Sequence, residues 1–283
     1  MIRDRLQLQR FELKYIVPEN LALAVRDFVS SYLELDEYAA TCPGLSYPVH
    51  SLYLDSDDFA LYQSTINGDK NRYKLRLRFY ENRPEAPVYF EIKRRLDNTI
   101  SKQRAAVRRE AVDTVLAGQL PDETQMASRN PDHLRAVQDF CSHVNHLGAR
   151  PRVHVAYLRE AWMPPSDNAV RVTIDRRVRS CPEPTARLTP EMENPVDVFP
   201  DRAILELKFT GRFPEWIAEL VRVFGLRPTS AAKYVDGVVL MEEKGIINQL
   251  YRPSGSGFAR ERARRIRSEK GGIAGEYQPP TAT

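Results

Sequence analysis

The stretch "NRYKLRLRFYEN" (residues 71–82) alternates basic and apolar side chains along its length. Its basic positions are Arg72, Lys74, Arg76 and Arg78, and its apolar positions are Tyr73, Leu75, Leu77 and Phe79. Because successive side chains of a β-strand point to opposite faces of the sheet, this period of two predicts a strand. Neighbouring like charges repel, so a face that meets only water usually mixes signs. A row of one sign therefore indicates a face with another purpose.

The composition is that of a globular chain with a sizeable core. Of its 283 residues, 42% are hydrophobic, and 42 Lys and Arg against 38 Asp and Glu give a net charge of +4. A cationic site must therefore come from the placement of charges and not from gross excess. The three cysteines are widely spaced and form no CxxC pair, which argues against a disulfide framework or zinc site and fits a reducing cytosol. No apolar run approaches the ~18 residues of a membrane span.

Seven further segments have the character of strands, and most of them set charged residues opposite apolar ones. They are 9–17, 46–56, 87–96, 99–110, 151–162, 169–178 and 202–210. The dipeptide "DN" (97–98) predicts a tight hairpin turn between two of them. Amphipathic spacing predicts helices over 18–35, 56–68, 132–148, 213–226 and 229–245, the last with Lys233 in its first turn. The proline- and glutamate-rich residues 179–200 are interpreted as an irregular insertion, and the expected fold class is α+β.

Eight antiparallel strands can close into a barrel, which removes exposed edges and leaves an interior for side chains or one slender ligand. If the apolar faces point outward, the predicted helices cover them and the interior is lined with Arg and Lys. Enclosed cations repel each other and are costly to desolvate, so this arrangement requires an anion inside. We expect an eight-stranded antiparallel β tunnel barrel with helices packed on the outside, and a ligand that is highly negative and roughly linear.

Two other interpretations compete with the tunnel. A single alternating strand more often belongs to a half-buried sheet whose charged face meets water, but repetition over several strands makes that interpretation less favourable. A basic sheet can also bind nucleic acid, usually with aromatic side chains on the charged face for base stacking. Residues 72–78 and 100–108 have no aromatic side chain on that face. Phosphate without base is the better fit, and no nucleic-acid partner is expected.

The order of eight short motifs resembles the VTC domain, the polyphosphate polymerase branch of the triphosphate tunnel metalloenzymes, which are related to CYTH phosphatases. The motifs are "RFELKY", "YPVHSLYLDS", "NRYKLRLRFY", "VYFEIKRR", "ISKQRA", "VTID", "LELKF" and "AAKYVDG". The likeness runs from about residue 9 to residue 245. It implies an eight-stranded antiparallel tunnel in which basic residues hold a triphosphate or polyphosphate, a divalent metal sits on an acidic residue, and the γ-phosphate of a nucleotide moves to a growing chain.

Carried over position by position, the resemblance implies a catalytic lining of Lys14, Arg76, Arg78, Lys93, Lys102 and Lys233. Further phosphate-binding candidates are Arg72, Lys74, Arg104, Arg159, Arg171 and Lys208. Glu206 of "LELK" matches the metal-binding glutamate of the family. Glu12 and Glu91 are additional metal candidates because they share strand faces with Lys14 and Lys93.

Two positions depart from the family pattern. The CYTH branch opens with an ExExK pattern, whereas Arg10 stands at the first glutamate, which removes one metal ligand and disfavours two-metal triphosphate hydrolysis. Polymerase members often carry a serine just before the helical lysine, whereas this chain has Ala232 there and Ser230 two positions earlier, a difference that bears on handling of the acceptor chain. Asp175 of "TID" is open to three roles: orienting an arginine, assisting the metal, or forming a structural ion pair.

The chemistry can also be argued from the residue types alone. Phosphoryl transfer needs the reacting oxygens in line and the developing charge neutralised, and a ring of Arg and Lys neutralises that charge. Carboxylate ligands without a thiolate or histidine cluster predict Mg²⁺ or Mn²⁺ as the cofactor. A phosphate chain end is already anionic, so no catalytic serine, cysteine or histidine is required.

The function that follows is a metal-dependent polyphosphate polymerase with ATP and polyphosphate as its ligands. Two alternatives stay open: an inorganic or nucleotide triphosphatase of the same fold, and a noncatalytic sensor of polyphosphate or inositol phosphates. Residues 1–250 are expected to form the tunnel domain and residues 251–283 a basic, mobile C-terminal tail. The expected location is cytoplasmic. A peripheral position at the inner face of a membrane, a membrane-protein partner and the oligomeric state stay open.

Overall fold

A computed structural model describes residues 10–97, 99–165 and 169–248 of the chain. Within these ranges the strands are β1 (Arg10–Pro18), β2 (Glu34–Leu35), β3 (Tyr47–Asp55), β4 (Asn71–Phe79), β5 (Val88–Leu96), β6 (Thr99–Val107), β7 (Arg150–Met163), β8 (Val170–Pro182), β9 (Val196–Asp197) and β10 (Arg202–Thr210). The α-helices are α1 (Glu19–Val29), α2 (Glu37–Thr41), α3 (Ala60–Asn67), α4 (Val112–Leu116), α5 (Pro131–Leu147), α6 (Glu215–Val223) and α7 (Lys233–Glu243). The predicted tail, 251–283, lies outside the described residues.

All of these strands belong to one antiparallel sheet. Its main path runs β1, β10, β8, β7, β3, β4, β5, β6, with β2 paired to β7 and β9 paired to β8. The eight strands predicted from alternation are the eight of this path, so the prediction is confirmed. β5 and β6 meet through the predicted two-residue turn, since Leu96 pairs with Thr99. Asp97 in that turn has a φ of 50°, the left-handed conformation that tight hairpin turns require.

The sheet curls until its two ends approach each other around a tunnel, the space in front of its charged face. No backbone ladder joins β1 to β6 in the described ranges. A side-chain contact bridges this seam, because Lys93 Nζ of β5 lies 3.4 Å from Glu12 Oε2 of β1. The predicted α+β tunnel is therefore present, with an ion pair across the seam where a closed barrel has hydrogen bonds.

The apolar face of the sheet is the outer one, and helices cover most of it. Leu75 and Leu77 of β4 are fully buried in a cluster that includes Phe90 of β5 and Phe140 of α5. The two phenylalanine rings meet edge to face with centroids 5.1 Å apart. A second cluster packs α1 and α6 against β1, β8 and β10. Because burial of one such side chain contributes about 1.5–3 kcal/mol, this outer packing turns the charged face inward.

One end of the tunnel is filled by apolar side chains of α7, which strand alternation alone does not predict. Tyr234 of α7 stacks on Tyr53 of β3, with ring centroids 4.6 Å apart and 13° between the planes. Val155, Tyr157 and Val238 belong to the same buried cluster. The expectation of an interior lined throughout by Arg and Lys is therefore wrong at this end, and the charged residues occupy the remainder.

Two helices have different bounds from those predicted: α1 ends earlier and α3 begins later. α1 ends at Val29 and not at residue 35, because the chain turns and Glu34–Leu35 pairs with β7 as β2. α3 begins at Ala60, and its N-cap residue Phe59 makes no side-chain cap. The Ser56 hydroxyl accepts the Ala60 amide at 3.0 Å, and the Asp55 carboxylate accepts the amides of Leu61 and Tyr62 at 2.9 Å. The same helix ends as predicted at Gly68, which has a φ of 76°.

The region around α7 also differs in detail from the prediction. α7 begins at Lys233 without a side-chain cap, and the Asp236 carboxylate accepts the Ala232 amide at 2.8 Å. Of the predicted insertion 179–200, residues 179–182 continue β8 and Val196–Asp197 form β9. No helix in the described part of the chain has the length and apolar character needed to cross a membrane.

Candidate active site in the tunnel

Alternation along the strands places charged side chains on the face that lines the tunnel. The residues that meet there are Glu12, Lys14, Lys74, Arg76, Arg78, Glu91, Lys93, Lys102, Arg104, Arg159, Asp175, Glu206 and Lys208, together with Lys233 of α7. Most of them fall into three clusters, centred on Glu91, on Lys14 and on Asp175. The predicted convergence of cations from separate strands is therefore observed.

The Glu91 cluster gathers cations from β4 and β6 around one carboxylate. Glu91 has no exposed surface, and its oxygens lie 2.6 Å from Arg76 Nη2, 2.7 Å from Lys102 Nζ, 3.2 Å from Arg104 Nε and 3.9 Å from Arg78 Nη1. Burial favours the protonated acid, but Arg76 and its neighbours outweigh it and hold the pKa of Glu91 well below its usual range. One carboxylate thus faces four cations.

The Lys14 cluster joins two carboxylates from β1 and β10. Lys14 Nζ lies 2.9 Å from Glu12 Oε1 and 3.6 Å from Glu206 Oε1. Lys208 adds a contact of 2.6 Å to Glu206, and Lys93 reaches Glu12 across the seam. Burial opposes ionisation, yet Lys14 and Lys93 lower the pKa of Glu12 to about 2. The same opposition of burial and neighbouring lysines leaves the pKa of Glu206 well below its ordinary value.

The Asp175 cluster links β7 and β8 to the start of α7. Arg159 binds the fully buried Asp175 carboxylate with both Nε and Nη2 at 2.7 Å. Lys233 Nζ lies 2.7 Å from Asp175 and 3.3 Å from Glu206, so it connects this cluster to the Lys14 cluster. Of the three roles left open for Asp175, the geometry shows the orientation of an arginine through an ion pair.

Three hydroxyl groups in the tunnel were missed by the sequence reasoning. The Tyr53 hydroxyl accepts from Arg76 Nη1 at 3.0 Å, while the Ser51 and Tyr157 hydroxyls accept from Arg78 at 3.2 Å. Burial raises the pKa of Tyr53, but Arg76 and neighbouring cations outweigh it and lower the pKa to about 8. The alternation of side chains along β3 and β7 could have predicted these residues, because it places all three hydroxyl groups on the strand faces that point into the tunnel.

Three lysines in the tunnel are held in an environment that disfavours their charge. Burial is the main cause that lowers the pKa of Lys74, Lys93 and Lys102 to about 8. Lys74 makes no ion pair with a carboxylate in the described ranges, and its Nζ lies 6.0 Å from the ring centroid of Tyr234. Among the tunnel cations, Lys74 is therefore the one whose charge no contacting carboxylate balances.

Two predicted phosphate-binding residues lie apart from the three clusters. Arg72, at the exposed end of β4, donates a hydrogen bond to the Asp69 carbonyl. Arg171 Nη2 lies 3.0 Å from Asp36 Oδ2, and Asp36 also accepts the first-turn amide of Ala39 in α2. Arg171 thus lies outside the three ion-paired clusters although it is the ladder neighbour of Lys208, and Arg72 lies beyond the clusters at the start of β4.

The carboxylates of the Lys14 cluster fit a divalent cation better than Glu91 does. In the described part of the chain no three His, Cys, Asp or Glu side chains form a metal cage. Mg²⁺ is commonly held by one or two carboxylates, with phosphate oxygens and water as the other ligands, and Glu12 and Glu206 can supply such a pair. Four cations surround the single carboxylate of Glu91, whereas four lysines share the two carboxylates of Glu12 and Glu206, so the local field opposes a further cation more strongly at Glu91.

The fold and the site together define a tunnel protein, an antiparallel sheet curled around a surplus of Lys and Arg. Residues 9–242 match the family model described as "VTC domain". The chain therefore belongs to the VTC domain family, and the resemblance based on eight short motifs is confirmed.

The relatives found by sequence are subunits of a named complex. The chain is 25% identical over 206 residues to vacuolar transporter chaperone complex subunit 4 of Schizosaccharomyces pombe, a match that covers 61% of this chain and 29% of the relative. It is 23% identical over 180 residues to subunit 2 of the same complex, covering 57% of this chain and 24% of the relative. The chain thus spans less than a third of the length of either relative.

Solved structures with a similar course of the chain come from other proteins. One is a Bacillus halodurans protein solved as a candidate adenylate cyclase, with 14% identity, a TM-score of 0.43, and coverage of 80% of this chain and 94% of that one. Another is the Mimivirus capping enzyme triphosphatase, with 11% identity, a TM-score of 0.28, and coverage of 76% and 89%. Both TM-scores lie below 0.5, so the site geometry itself has to support a function.

Proposed function

We propose that this chain is a metal-dependent polyphosphate polymerase that transfers the γ-phosphate of ATP to a growing polyphosphate chain inside the tunnel. The observation that carries the proposal is the charge gathered on the tunnel face: ten Lys and Arg side chains, counting Lys74, meet four carboxylates, a difference of six positive charges. Because enclosed cations need anions to balance them, a linear polyanion matches a tunnel so lined.

The basic side chains have two chemical roles in this proposal. Arg76 and Arg78 present guanidinium groups that suit bidentate contacts with phosphate oxygens, and Lys93 and Lys102 add point charges from neighbouring strands. The phosphoryl group in transfer carries negative charge on its equatorial oxygens, so these cations stabilise it without a covalent intermediate. An acceptor phosphate is already ionised, so no side chain has to remove a proton.

Glu12 and Glu206 are the proposed ligands of the Mn²⁺ or Mg²⁺ cofactor. When bound, the metal would supply positive charge that neutralises the negative charge developing during transfer. Lys14 contacts both carboxylates, at 2.9 and 3.6 Å, and so holds the two side chains near each other. Glu91 has a different role in this proposal, since it orients the arginines and lysines that surround it.

Incubation of the purified chain with ATP and Mn²⁺ tests the proposal. A polyacrylamide gel of the products is expected to show phosphate chains that lengthen with time. Release of free phosphate alone would indicate the triphosphatase, and tight binding of tripolyphosphate without any turnover would indicate the noncatalytic sensor. Either of these results would overturn the polymerase.

A pair of alanine variants assigns the turnover to the tunnel. Glu206→Ala is expected to abolish turnover while tripolyphosphate still binds, because it removes a metal ligand and leaves the cations in place. Glu183→Ala is a matched control, since Glu183 is also buried but pairs with Arg187 in the insertion outside the tunnel. Equal loss of turnover in both variants would contradict a role of Glu206 in the reaction.

We further propose that the chain works in the cytoplasm as part of an assembly at the inner face of a membrane. The support is that both sequence relatives are, by name, subunits of a transporter chaperone complex. Affinity purification of the tagged chain from membrane and soluble fractions tests this. We expect it to copurify with a membrane protein, and recovery of the chain alone from the soluble fraction would contradict the proposal.

A further inference from the structure

Four tyrosines form a continuous row at the tunnel mouth where β3 and β5 begin and β4 ends. Tyr38 of α2 lies 5.9 Å from Tyr47 of β3, measured between ring centroids. Tyr47 lies 6.2 Å from Tyr80, the residue after β4, and Tyr80 lies 5.9 Å from Tyr89 of β5. We refer to these four residues as the tyrosine row.

The rings of the tyrosine row do not cover one another's faces. Neighbouring planes are inclined by 57°, 57° and 75°, whereas Tyr53 and Tyr234 at the other end of the tunnel stack at 13°. Tyr38 is 63% exposed, a large fraction for an aromatic side chain. The exposed ring of Tyr38 therefore leaves a π-face that a flat aromatic group can contact.

Arg104 connects the tyrosine row to the cations deeper in the tunnel. Its guanidinium carbon lies 3.6 Å from the Tyr89 ring centroid, and its Nη2 donates to the Tyr80 hydroxyl at 3.2 Å. The same side chain contacts Glu91 through Nε at 3.2 Å. The tyrosine row is therefore one side chain away from the Glu91 cluster, within reach of a ligand whose phosphates bind there.

We propose that the tyrosine row binds the nucleobase of the nucleoside triphosphate whose phosphates enter the tunnel. This inference rests on the proposed function, because it assumes a nucleotide donor. A polyphosphate chain has no aromatic group, so exposed ring faces at the mouth serve a ligand that has one. Stacking on aromatic side chains tolerates any base, and the donor site therefore favours purines through their larger ring surface without selecting a single base.

Binding of ATP and of tripolyphosphate to the full chain, measured by calorimetry in EDTA, tests the site. Tyr38→Ala is expected to weaken ATP binding by about tenfold, as loss of one base-stacking contact does, and to leave tripolyphosphate binding unchanged. Tyr38→Phe keeps the ring and is expected to bind both ligands like the wild type. Tyr32→Ala is the matched control, since Tyr32 is 46% exposed but stacks on Trp216 outside the tunnel.

The two ligands separate failure of this inference from failure of the proposed function. If Tyr38→Ala weakens both ligands equally, or neither, the tyrosine row does not hold the base. The same conclusion follows if the wild type binds CTP and ATP equally and Tyr38→Ala changes neither. If the wild type binds neither ATP nor tripolyphosphate, the proposal that the tunnel binds phosphates is refuted, and the proposed base site is refuted as well.

Discussion

Replacement of Glu91 by glutamine, E91Q, removes the one carboxylate that balances four tunnel cations. The amide keeps the size of the side chain but not its charge. Arg76, Lys102, Arg104 and Arg78 now lie within 3.9 Å of a neutral group in a fully buried position. In the folded protein without ligand, these four cations therefore repel one another without the negative charge that Glu91 supplies.

The expected loss of stability follows from this geometry. Loss of one partner from a buried ion pair typically costs about 3–5 kcal/mol, because the other charge stays buried and unpaired. In a chain of this size about 3–5 kcal/mol corresponds to a fall in melting temperature on the order of 10 °C. The fall is expected in a buffer without phosphate, where no anion takes the place of the carboxylate.

Tripolyphosphate is expected to restore the stability of E91Q, because its oxygens replace the missing carboxylate. At a concentration of about one hundred times its Kd, a ligand stabilises the folded state by about 2.7 kcal/mol. The gain is expected to be larger for E91Q than for the wild type, in which Glu91 competes for the same cations. Differential scanning fluorimetry with increasing tripolyphosphate measures both melting shifts.

Glu160 provides the matched control for this experiment. It is also fully buried, and it contacts Arg26 at 2.6 Å, Arg176 at 2.7 Å and the Trp162 indole at 2.7 Å, away from the tunnel clusters. E160Q is therefore expected to lose similar stability without rescue by tripolyphosphate. If tripolyphosphate raises the melting temperature of E91Q no more than that of the wild type or of E160Q, the account of the Glu91 cluster as an anion site is refuted.

Three further predictions concern pH and packing. Because Lys74, Lys93 and Lys102 have pKa values of about 8, long-chain polyphosphate is expected to bind more weakly at pH 9 than at pH 7, as equilibrium dialysis can show. The unfolded chain holds these protons up to about pH 10.5, so each of the three lysines destabilises the folded state less as the pH rises from 8 to 10.5. The difference in urea midpoint between Lys74→Met and the wild type is therefore expected to shrink from pH 7 to pH 10, and a constant difference would contradict the shift of Lys74. Gly237→Ala is expected to cost about 1–3 kcal/mol, since the added Cβ meets Ser180 Oγ at 2.5 Å, and an unchanged urea midpoint would contradict this close packing.

The strands could be predicted because their alternation extends over many residues. β4 repeats the basic and apolar pattern along eight residues, Arg72 to Phe79, and only one choice of face buries the apolar side chains. β2 and β9 have two residues each, too few for any period to be visible. α1 was predicted too long because residues 30–35 keep a helical spacing, whereas pairing of Glu34–Leu35 with β7 depends on a distant strand.

The inward face of each strand could be predicted, but the partners of each cation could not. The alternation of side chains along β5 places Lys93 on the charged face. Its contact with Glu12, 81 positions earlier, depends on how far the sheet curls. The same alternation along β8 places Arg171 on the charged face. Its side chain pairs with Asp36, a residue that lies outside every strand and helix predicted from the sequence. Contacts between distant segments are set by tertiary geometry, which a local period does not contain.

The apolar end of the tunnel could not be predicted for a related reason. Tyr53 and Tyr157 lie at inward positions of β3 and β7, where polar and apolar side chains both occur. Alternation along these strands therefore does not predict whether the two tyrosines are buried among apolar or charged groups. Their burial depends on α7, which enters from the far end of the sequence and places Tyr234 against Tyr53. Lys233 could be predicted as a site residue only through the family resemblance, since a single lysine at a helix start has no distinctive pattern.

The most direct test of the account is the location of a phosphate chain and a metal in crystals of this protein soaked with tripolyphosphate and Mn²⁺. Diffraction data at the manganese absorption edge identify the metal without ambiguity. We predict a manganese peak at Glu206 and Glu12, with phosphates in contact with Arg76 and Arg78 inside the tunnel. Phosphates bound only on the outer surface, with the tunnel cations still paired to their carboxylates alone, would contradict the account.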